Sequence, residues 1–314
     1  MTERILDPSL SSRFPVRRAV RTFEWHDTET VLDKADLGNF EVLAFETLQQ
    51  ILVDTDLRGL IRLQGVSKSM RRAVDTIREF HTILRCVPDV IRIMTASKID
   101  TMVSCRDLYN ALIRPMCYLC DEPGQYLYLL ACHRLCSTCL TTNLRYRPLR
   151  PMQAAQQFRM HMSMVMRLPK LEVPKYSRKS RYRRNRINST GWRLIDREIA
   201  RRRGIEHHGS SERLMEAIAG RLSWLQSYSP QVFRRRDRLL SYQETPPVEA
   251  SWSASVLFPY YDQDTGSVGI PVTCVACRDY HASPVYMTVE CYTKHLIAMG
   301  NVENGVHRKR PSSS

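Results

Sequence analysis

The sequence lacks several features that would place it in common protein classes. No apolar run approaches the roughly 20 residues that a helix needs to cross a bilayer. Residues 1–15 contain no hydrophobic stretch that resembles a signal peptide. The sequence also has no Gly-rich phosphate loop, no GxSxG and no HExxH, which argues against the enzyme classes built on these motifs. We therefore expect a protein of the cytoplasm or nucleus that makes no membrane contact.

Acidic residues are in short supply. The 314 residues include 47 Lys and Arg against 32 Asp and Glu, and the net charge is +15 at pH 7. Such a charge favours a polyanionic partner, although it carries no information about the fold. In the basic tract, residues 170–203, Tyr176, Tyr182 and Trp192 stand among the basic residues and would stack on bases. A zinc-containing nucleic-acid-binding protein is therefore the alternative function, and a solvated basic surface is the simpler interpretation.

Four of the ten cysteines form two CxxC pairs, Cys117 with Cys120 and Cys136 with Cys139, separated by fifteen residues. A CxxC turn places both sulfurs on one side of the chain, so two turns can complete a tetrahedron around one zinc ion. This spacing is typical of a zinc site, with paired disulfides or a redox dithiol as alternatives. Four thiolates leave no position for water, so the predicted zinc would be structural. The pattern also favours a reducing compartment.

A third CxxC pattern near the C-terminus predicts a second zinc site. Cys274 and Cys277 are followed by Cys291 and His295, which are four residues apart and would share one face of a helix. The set C-x2-C-x13-C-x3-H is typical of a zinc finger with three sulfurs and one imidazole. His281 competes for the fourth position. Otherwise, Cys291 is a core cysteine and His295 a surface histidine.

The hydrophobic periodicity predicts an α+β fold, with a three-helix unit and further helices followed by small zinc-stabilised hairpin and helix units. Asp54 or Asp56, Ser67 and Ser104 are predicted to cap helices. Residues 152–168 and 211–225 are predicted to be helical, and Gly124 is predicted to permit a turn between the cysteine pairs. The apolar stripes of the three-helix unit exceed what so small a unit can bury, so we expect either the rest of the chain or another protein to cover them. Residues 241–256, with two prolines and several serines, are predicted to form a linker or surface loop. The predicted parts are a flexible arm at 1–37, the three-helix unit at 38–82, a helical linker and four-cysteine module at 83–145, a basic and mostly helical region at 146–250, a zinc-finger-like module at 251–300 and a disordered basic tail at 301–314.

Three segments resemble those of one protein family, the fungal F-box proteins. Residues 40–75, FEVLAFETLQQILVDTDLRGLIRLQGVSKSMRRAVD, are similar to the F-box pattern, although Ala44 stands where the family usually has Pro. The segments DLYNAL and CYLCDEPGQYLYLLACHRLCSTCL resemble a Cys-rich segment that follows the box in many fungal members. VTCVACRDYHASP and YTKHL resemble a C-terminal family segment, in which Met299 replaces a frequent Cys.

The resemblance implies a substrate receptor of an SCF-type cullin–RING ubiquitin ligase. In that class the F-box binds a Skp-type linker subunit, which connects the receptor to a cullin, and the rest of the receptor holds a target protein. The receptor is not an enzyme, because a separate conjugating enzyme carries the ubiquitin. The residues implied to contact the linker are the apolar ones of the pattern: Leu43, Leu48, Ile51, Leu52, Leu57, Leu60, Leu63 and Val66.

Overall fold

The fold is α+β, as the sequence predicts, with helices in the N-terminal part and short antiparallel strands after them. Within the described part of the chain, no helix is both long and apolar enough to span a membrane. The computed structural model describes residues 2–4, 37–173, 192–228, 248–269, 272–274, 285–286, 289–303 and 306–308.

Six helices build the N-terminal module, after a short strand and a 3-10 turn. Three of these helices begin at the side-chain caps that the sequence predicts: Asp56, Ser67 and Ser104 each accept a hydrogen bond from a backbone N–H three residues later, at 2.8, 3.1 and 3.0 Å. The elements are β1 (Thr2–Arg4), the 3-10 turn (Gly38–Val42), α1 (Phe45–Asp54), α2 (Leu57–Leu63), α3 (Lys68–Asp75), α4 (Arg78–Cys86), α5 (Pro88–Ala96) and α6 (Cys105–Ile113).

Four of the residues implied to contact a linker are buried within the chain itself. Leu48, Leu52, Leu57 and Leu60 are each at most 2% exposed, in one continuous core that extends to α4, α5 and α6. Of the two partners expected for these stripes, the rest of the chain therefore covers part of them, because α6 packs against both α1 and α4. The other four residues remain accessible: Leu43 and Leu63 are half-buried, and Ile51 and Val66 are exposed.

A three-stranded antiparallel sheet follows the helices, with β2 in the centre between β3 and β6. All three residues of β2 are buried. Tyr126 lies opposite Leu135 on one side and Leu257 on the other. The elements of this module are β2 (Tyr126–Tyr128), β3 (His133–Leu135), α7 (Ser137–Thr142), the 3-10 turn Leu144–Tyr146, α12 (Val248–Ser253) and β6 (Ser255–Leu257).

Residues 248–256, the described part of the loop predicted at 241–256, instead form a helix and the third strand of this sheet, and the helix crosses the boundary predicted at 251. Residues 248–257 form α12 and β6, and Ala254, Val256 and Phe258 are fully buried in the core of the four-cysteine module. The serine-rich composition did not suggest a strand in the core. Ser253 and Ser255 are nevertheless buried there. The four-cysteine module is therefore assembled from two distant stretches of the chain.

The region between these stretches has a core of its own, in which Phe158 packs with Leu214 and Ile218. The Met-rich segment at 152–168 forms two short helices, and the helix predicted over 211–225 is present. The elements are α8 (Pro151–Gln157), α9 (Met162–Val165), β4 (Leu171–Glu172), β5 (Arg193–Leu194), α10 (Arg197–His208) and α11 (Ser211–Tyr228).

Short paired strands lie within two segments that are predicted to be flexible or disordered. In the arm predicted as flexible, Thr2–Arg4 pairs with Val272–Cys274. In the tail predicted as disordered, Asn301–Glu303 pairs with Val306–Arg308. Composition does not report such backbone pairing. The elements are β7 (Tyr260–Tyr261), β8 (Val268–Gly269), β9 (Val272–Cys274), β10 (Val285–Tyr286), α13 (Val289–Met299), β11 (Asn301–Glu303) and β12 (Val306–Arg308).

Candidate metal centre

The first cysteine pair lies in a tight loop between α6 and β2. Pro115 follows the end of α6, and its carbonyl accepts a hydrogen bond from the Gly124 N–H at 2.9 Å, which closes the loop. Within the loop the Cys117 N–H donates to the Glu122 carbonyl at 2.8 Å. The loop thereby holds Cys117 and Cys120 in one compact turn.

The second pair lies where β3 passes into α7. Cys136 is the N-cap of α7, and its sulfur accepts a hydrogen bond from the Cys139 N–H at 3.3 Å. The two turns are also joined directly, because the Tyr118 N–H donates to the Arg134 carbonyl at 2.7 Å. Both cysteine pairs are therefore fixed by backbone hydrogen bonds rather than by side-chain packing alone.

The four sulfurs converge on one point, as the sequence predicts. The Sγ atoms of Cys117, Cys120, Cys136 and Cys139 all lie within 4.8 Å of one another. Cys120 Sγ is 3.8 Å from Cys136 Sγ and 3.5 Å from Cys139 Sγ. Four sulfurs at about 2.3 Å from a shared zinc ion would stand about 3.8 Å apart in a regular tetrahedron, whereas a disulfide requires about 2.05 Å. The cluster can therefore hold a metal ion such as zinc.

Without a bound cation, the surroundings of the cluster do not favour ionisation of all four cysteines. Burial alone would raise the pKa of Cys117. Hydrogen bonds from the backbone N–H groups of Leu119, Cys136 and Cys120 have the larger combined effect and bring this pKa below its usual value. Burial raises the pKa of Cys136 to about 11, and burial also raises the pKa of Cys139. A bound dication would compensate the charge of the thiolates, so ionisation and metal binding are coupled.

Cys132 and His133 stand between the pairs and do not join the cluster. His133 stacks on Tyr118 with ring centroids 3.8 Å apart, and its Nδ1 lies 2.9 Å from the Tyr146 hydroxyl. Burial raises the pKa of the Cys132 thiol. Both residues therefore have packing roles in the structure.

The cluster is supported by Arg134, a buried residue whose role the sequence did not reveal. Its guanidinium donates to the carbonyls of Ala111 at 2.9 Å, Gly124 at 2.7 Å and Phe258 at 3.1 Å, and also to that of Pro259. These carbonyls belong to α6, to the first cysteine loop and to the segment after β6. Burial lowers the pKa of Arg134 to about 9, so the group remains charged at neutral pH. The available signal was a single Arg in the mostly apolar stretch 126–135.

Gly124 is required by the close approach of Arg134, not simply by the turn that the sequence predicts there. A Cβ at Gly124 would lie 2.4 Å from Arg134 Cγ and 3.4 Å from Cys117 Cα. Arg134 cannot move aside without losing its carbonyl partners. We expect Gly124→Ala to lower the free energy of unfolding by about 1–3 kcal/mol and to weaken metal retention against a chelator.

Thermal unfolding and metal analysis of the full chain test this expectation. Gly220→Ala is the matched control, because a Cβ there meets nothing within 4 Å on α11 and alanine favours a helix. A Gly124→Ala variant with the wild-type melting temperature and metal retention would contradict the role given to this contact.

The predicted second cluster lies largely outside the described residues. Cys277 and His281 are not described, and Cys274 and Cys291 are described in backbone only, within β9 and α13. His295 is half-buried on α13, where its Nε2 lies 3.2 Å from Nε2 of His307. His307 is not among the ligands predicted from the sequence, and the predicted ligand set of this site stays a prediction.

The described residues thus define an α+β protein with one four-cysteine cluster capable of metal binding. Comparison of the chain with protein-family models, with curated proteins and with solved structures finds no match in any of the three. The resemblance to fungal F-box proteins rests on short sequence segments alone, chiefly residues 40–75.

Proposed function

We propose that this protein is an F-box substrate receptor of a cullin–RING ubiquitin ligase, with a structural zinc ion at its four-cysteine cluster. The helical module at 38–82 binds a Skp-type linker subunit and, through it, a cullin. The rest of the chain holds a target protein for ubiquitin transfer. The role is non-catalytic, since the conjugating enzyme supplies the chemistry.

The observation that carries the proposal is the exposed apolar surface of the helical module. Among the described residues, large apolar side chains are repeatedly exposed over 40–66, and two of them are 91% and 70% exposed, at Val42 and Val66. Exposed apolar side chains that recur within one folded segment favour a protein contact there. The exposed residues are Phe40, Val42, Ile51, Ile61 and Val66.

The apolar residues of the F-box pattern have two different roles, according to whether they are buried or accessible. The buried leucines of α1 and α2 lie in one core with residues of α6, and α1 packs on α6, so their removal would unfold the module rather than only weaken a contact. The accessible members of the pattern, Leu43, Ile51, Leu63 and Val66, are the ones available to a linker. The proposed contact surface therefore comprises only these four accessible residues, not all eight apolar residues of the pattern.

The family's missing proline does not count against the module. Ala44 is the N-cap of α1, with φ −61° and ψ 145°, and a proline ring adopts this φ without strain. Leu43 before it is extended, with φ −83° and ψ 142°, as a residue preceding proline requires. The backbone at this point is therefore the one that the family pattern would impose.

The proposed zinc ion would set the position of the target-holding part. Arg134, on the strand that leads into the second cysteine pair, donates to the Ala111 carbonyl on α6. Helix α6 in turn packs on α1 and α4 of the helical module. A four-thiolate zinc site has no open coordination position, so it stabilises this connection without adding chemistry. Such a rigid connection suits a receptor that presents a target at a fixed distance.

We expect the double variant Ile51→Ser with Val66→Ser to bind a purified Skp-type linker at least about 100-fold more weakly than the wild type. Each apolar side chain buried at the interface contributes about 1.5–3 kcal/mol, and about 2.7 kcal/mol corresponds to a 100-fold change in Kd. Both side chains are exposed in the chain itself, so the substitutions should leave the fold intact. Isothermal titration calorimetry measures the affinity.

The matched control is Met215→Ser with Val268→Ser, which removes two exposed apolar side chains outside the helical module. It should bind as the wild type does. The proposal fails if the wild type does not bind the linker at micromolar concentration, or if the control loses as much affinity as the test variant.

The described residues do not favour the alternative of nucleic-acid binding. Arg201 and Arg202 form ion pairs with Glu198 on the same helix. The Arg150 guanidinium lies over the Trp192 ring, 4.7 Å from its centroid. Tyr176 and Tyr182 lie outside the described residues. Binding to single-stranded nucleic acid with a steep salt dependence would restore this alternative.

A further inference from the structure

A groove lies between helix α6 and the four-cysteine module. Its volume is about 580 Å³, within the range of about 300–1,000 Å³ that ligand sites occupy in proteins. One wall is the side of α6 that carries Asp107, Asn110 and, at its C-terminal end, Arg114. None of the four clustered cysteines and none of the proposed linker contacts lines the groove.

The opposite wall belongs to the four-cysteine module and is joined to α6 through Arg134. This wall is formed by Met116 and Tyr118 of the first cysteine loop and by residues 131–134, which lead into β3. The Arg134 guanidinium donates to the Ala111 carbonyl on α6 at 2.9 Å, and the Tyr118 N–H donates to the Arg134 carbonyl at 2.7 Å. Because these bonds fix both walls before a ligand arrives, binding costs little further ordering.

The length and openness of the groove suit a short extended peptide. Asp107, Asn110 and Arg114 occupy positions i, i+3 and i+7, so they follow one side of the helix over about 10 Å. An extended chain advances about 3.3 Å per residue, so about three peptide residues fit alongside them. These three side chains are exposed, as are Met116 and Tyr118. The groove is therefore open along one side, whereas a small molecule is usually enclosed by its pocket.

The polar side chains of the groove leave a positive charge available at one end. Arg114 forms no ion pair with a described residue, and the Asn110 amide makes no hydrogen bond to one. Asp107 accepts a hydrogen bond from the Ser104 hydroxyl at 2.7 Å. Arg134, the other cation of the groove, directs its donors to backbone carbonyls. The uncommitted charge is therefore that of Arg114.

Met116 and Tyr118 supply an apolar surface next to Arg114 in the chain. They are 39% and 48% exposed. The Tyr118 ring is held by stacking on His133, with the ring centroids 3.8 Å apart. A second cation, Arg145, lies 6.0 Å from the centroid of the Tyr118 ring and forms no ion pair with a described residue. Arg, Tyr and Met are the residue types enriched where proteins contact one another.

We propose that this groove binds a short extended segment of a partner protein, in which acidic residues adjoin a large apolar or aromatic residue. A carboxylate of the segment pairs with Arg114, the Asn110 amide bonds the peptide backbone, and the apolar side chain covers Met116 and Tyr118. That the segment belongs to a target of the ligase rests on the proposed receptor function. The peptide contact itself does not.

Fluorescence polarisation with the full-length chain and two pools of labelled pentapeptides tests the proposal. Every peptide has a central phenylalanine; one pool carries two glutamates on either side of it, before it in half of the members and after it in the rest, and the other pool carries lysines at the same positions. We expect the wild type to bind the glutamate pool at least about tenfold more tightly than the lysine pool, and Arg114→Glu to bind the glutamate pool about tenfold more weakly than the wild type. Arg213→Glu, which reverses an exposed charge on α11 outside the groove, is the matched control and should bind as the wild type does.

Asn110→Ala separates the contact with the peptide backbone from the charge. Alanine favours a helix, so this variant should fold. It should bind the glutamate pool about fivefold more weakly than the wild type and keep the preference over the lysine pool. Equal binding of the two pools by the wild type, or wild-type affinity in Arg114→Glu, would overturn the proposal.

Linker binding distinguishes failure of this proposal from failure of the receptor function. Arg114 lies outside the helical module at 38–82, so Arg114→Glu should bind the Skp-type linker as the wild type does. A wild type that binds the linker but not the glutamate pool would overturn the groove proposal alone. A wild type that binds the glutamate pool but not the linker would overturn the receptor function and leave the peptide contact in place.

Discussion

Replacing Cys120 by Ser is expected to remove the metal from the four-cysteine cluster and to unfold the module around it. Cys120 Sγ lies within 3.8 Å of both sulfurs of the second pair, so it connects the two turns. Structural zinc contributes about 10–16 kcal/mol in apparent binding free energy at neutral pH. That amount equals or exceeds the total free energy of unfolding of a typical domain, about 5–15 kcal/mol. Loss of the ion should therefore unfold the module, and not merely lower its melting temperature by a few degrees.

Zinc content and thermal unfolding of the full-length chain measure this outcome. A fragment that ends before β6 is unsuitable, because Ser255–Leu257 forms the third strand of the module's sheet. Cys86→Ser is the matched control: Cys86 is half-buried at the end of α4, outside the cluster, and its replacement should keep the metal. A Cys120→Ser protein that keeps the wild-type melting temperature would contradict a structural metal at this site.

The features predicted correctly from the sequence are those encoded over short distances. Asp56, Ser67 and Ser104 cap helices because the capping oxygen and the N–H that it accepts from are only three residues apart. Cys136 and Cys139 likewise form their turn within four residues. The convergence of the four sulfurs follows, because each CxxC pair needs the other to complete one coordination shell.

The features that the sequence did not reveal depend on distant segments. Whether Leu57 and Leu60 are buried depends on the helices that follow in the chain, which periodicity within 38–82 does not describe. Strand β6 is ordered by pairing with β2, far earlier in the chain, and the serine-rich sequence around it gave no strand signal. His307 reaches His295 only because Gly300 and a hairpin reverse the chain. In each case tertiary contact, not local propensity, determined the outcome.

Replacing Arg134 by Met is expected to be as disruptive as the loss of a metal ligand. The guanidinium satisfies four backbone carbonyls in a site where the residue is 2% exposed. Each buried polar group left without a partner costs about 1–3 kcal/mol, so the loss should reach about 4 kcal/mol or more. Urea unfolding of the full chain measures it, and metal content should fall as well, since the Gly124 carbonyl belongs to the first cysteine loop. Arg106→Met, on the solvent-exposed face of α6, is the control and should leave the unfolding midpoint unchanged.

Arg134→Lys separates the charge of Arg134 from its geometry. If the positive charge alone held the module together, lysine would restore the wild-type stability. A lysine ammonium is a compact group with three donors, whereas the planar guanidinium spreads five donors over a wider fork. The four carbonyls come from α6, the first cysteine loop and the segment after β6, and one ammonium cannot reach all of them at once. We therefore expect Arg134→Lys to unfold at nearly as low a urea concentration as Arg134→Met. Wild-type stability in the lysine variant would show that the guanidinium's carbonyl contacts do not hold these three segments together.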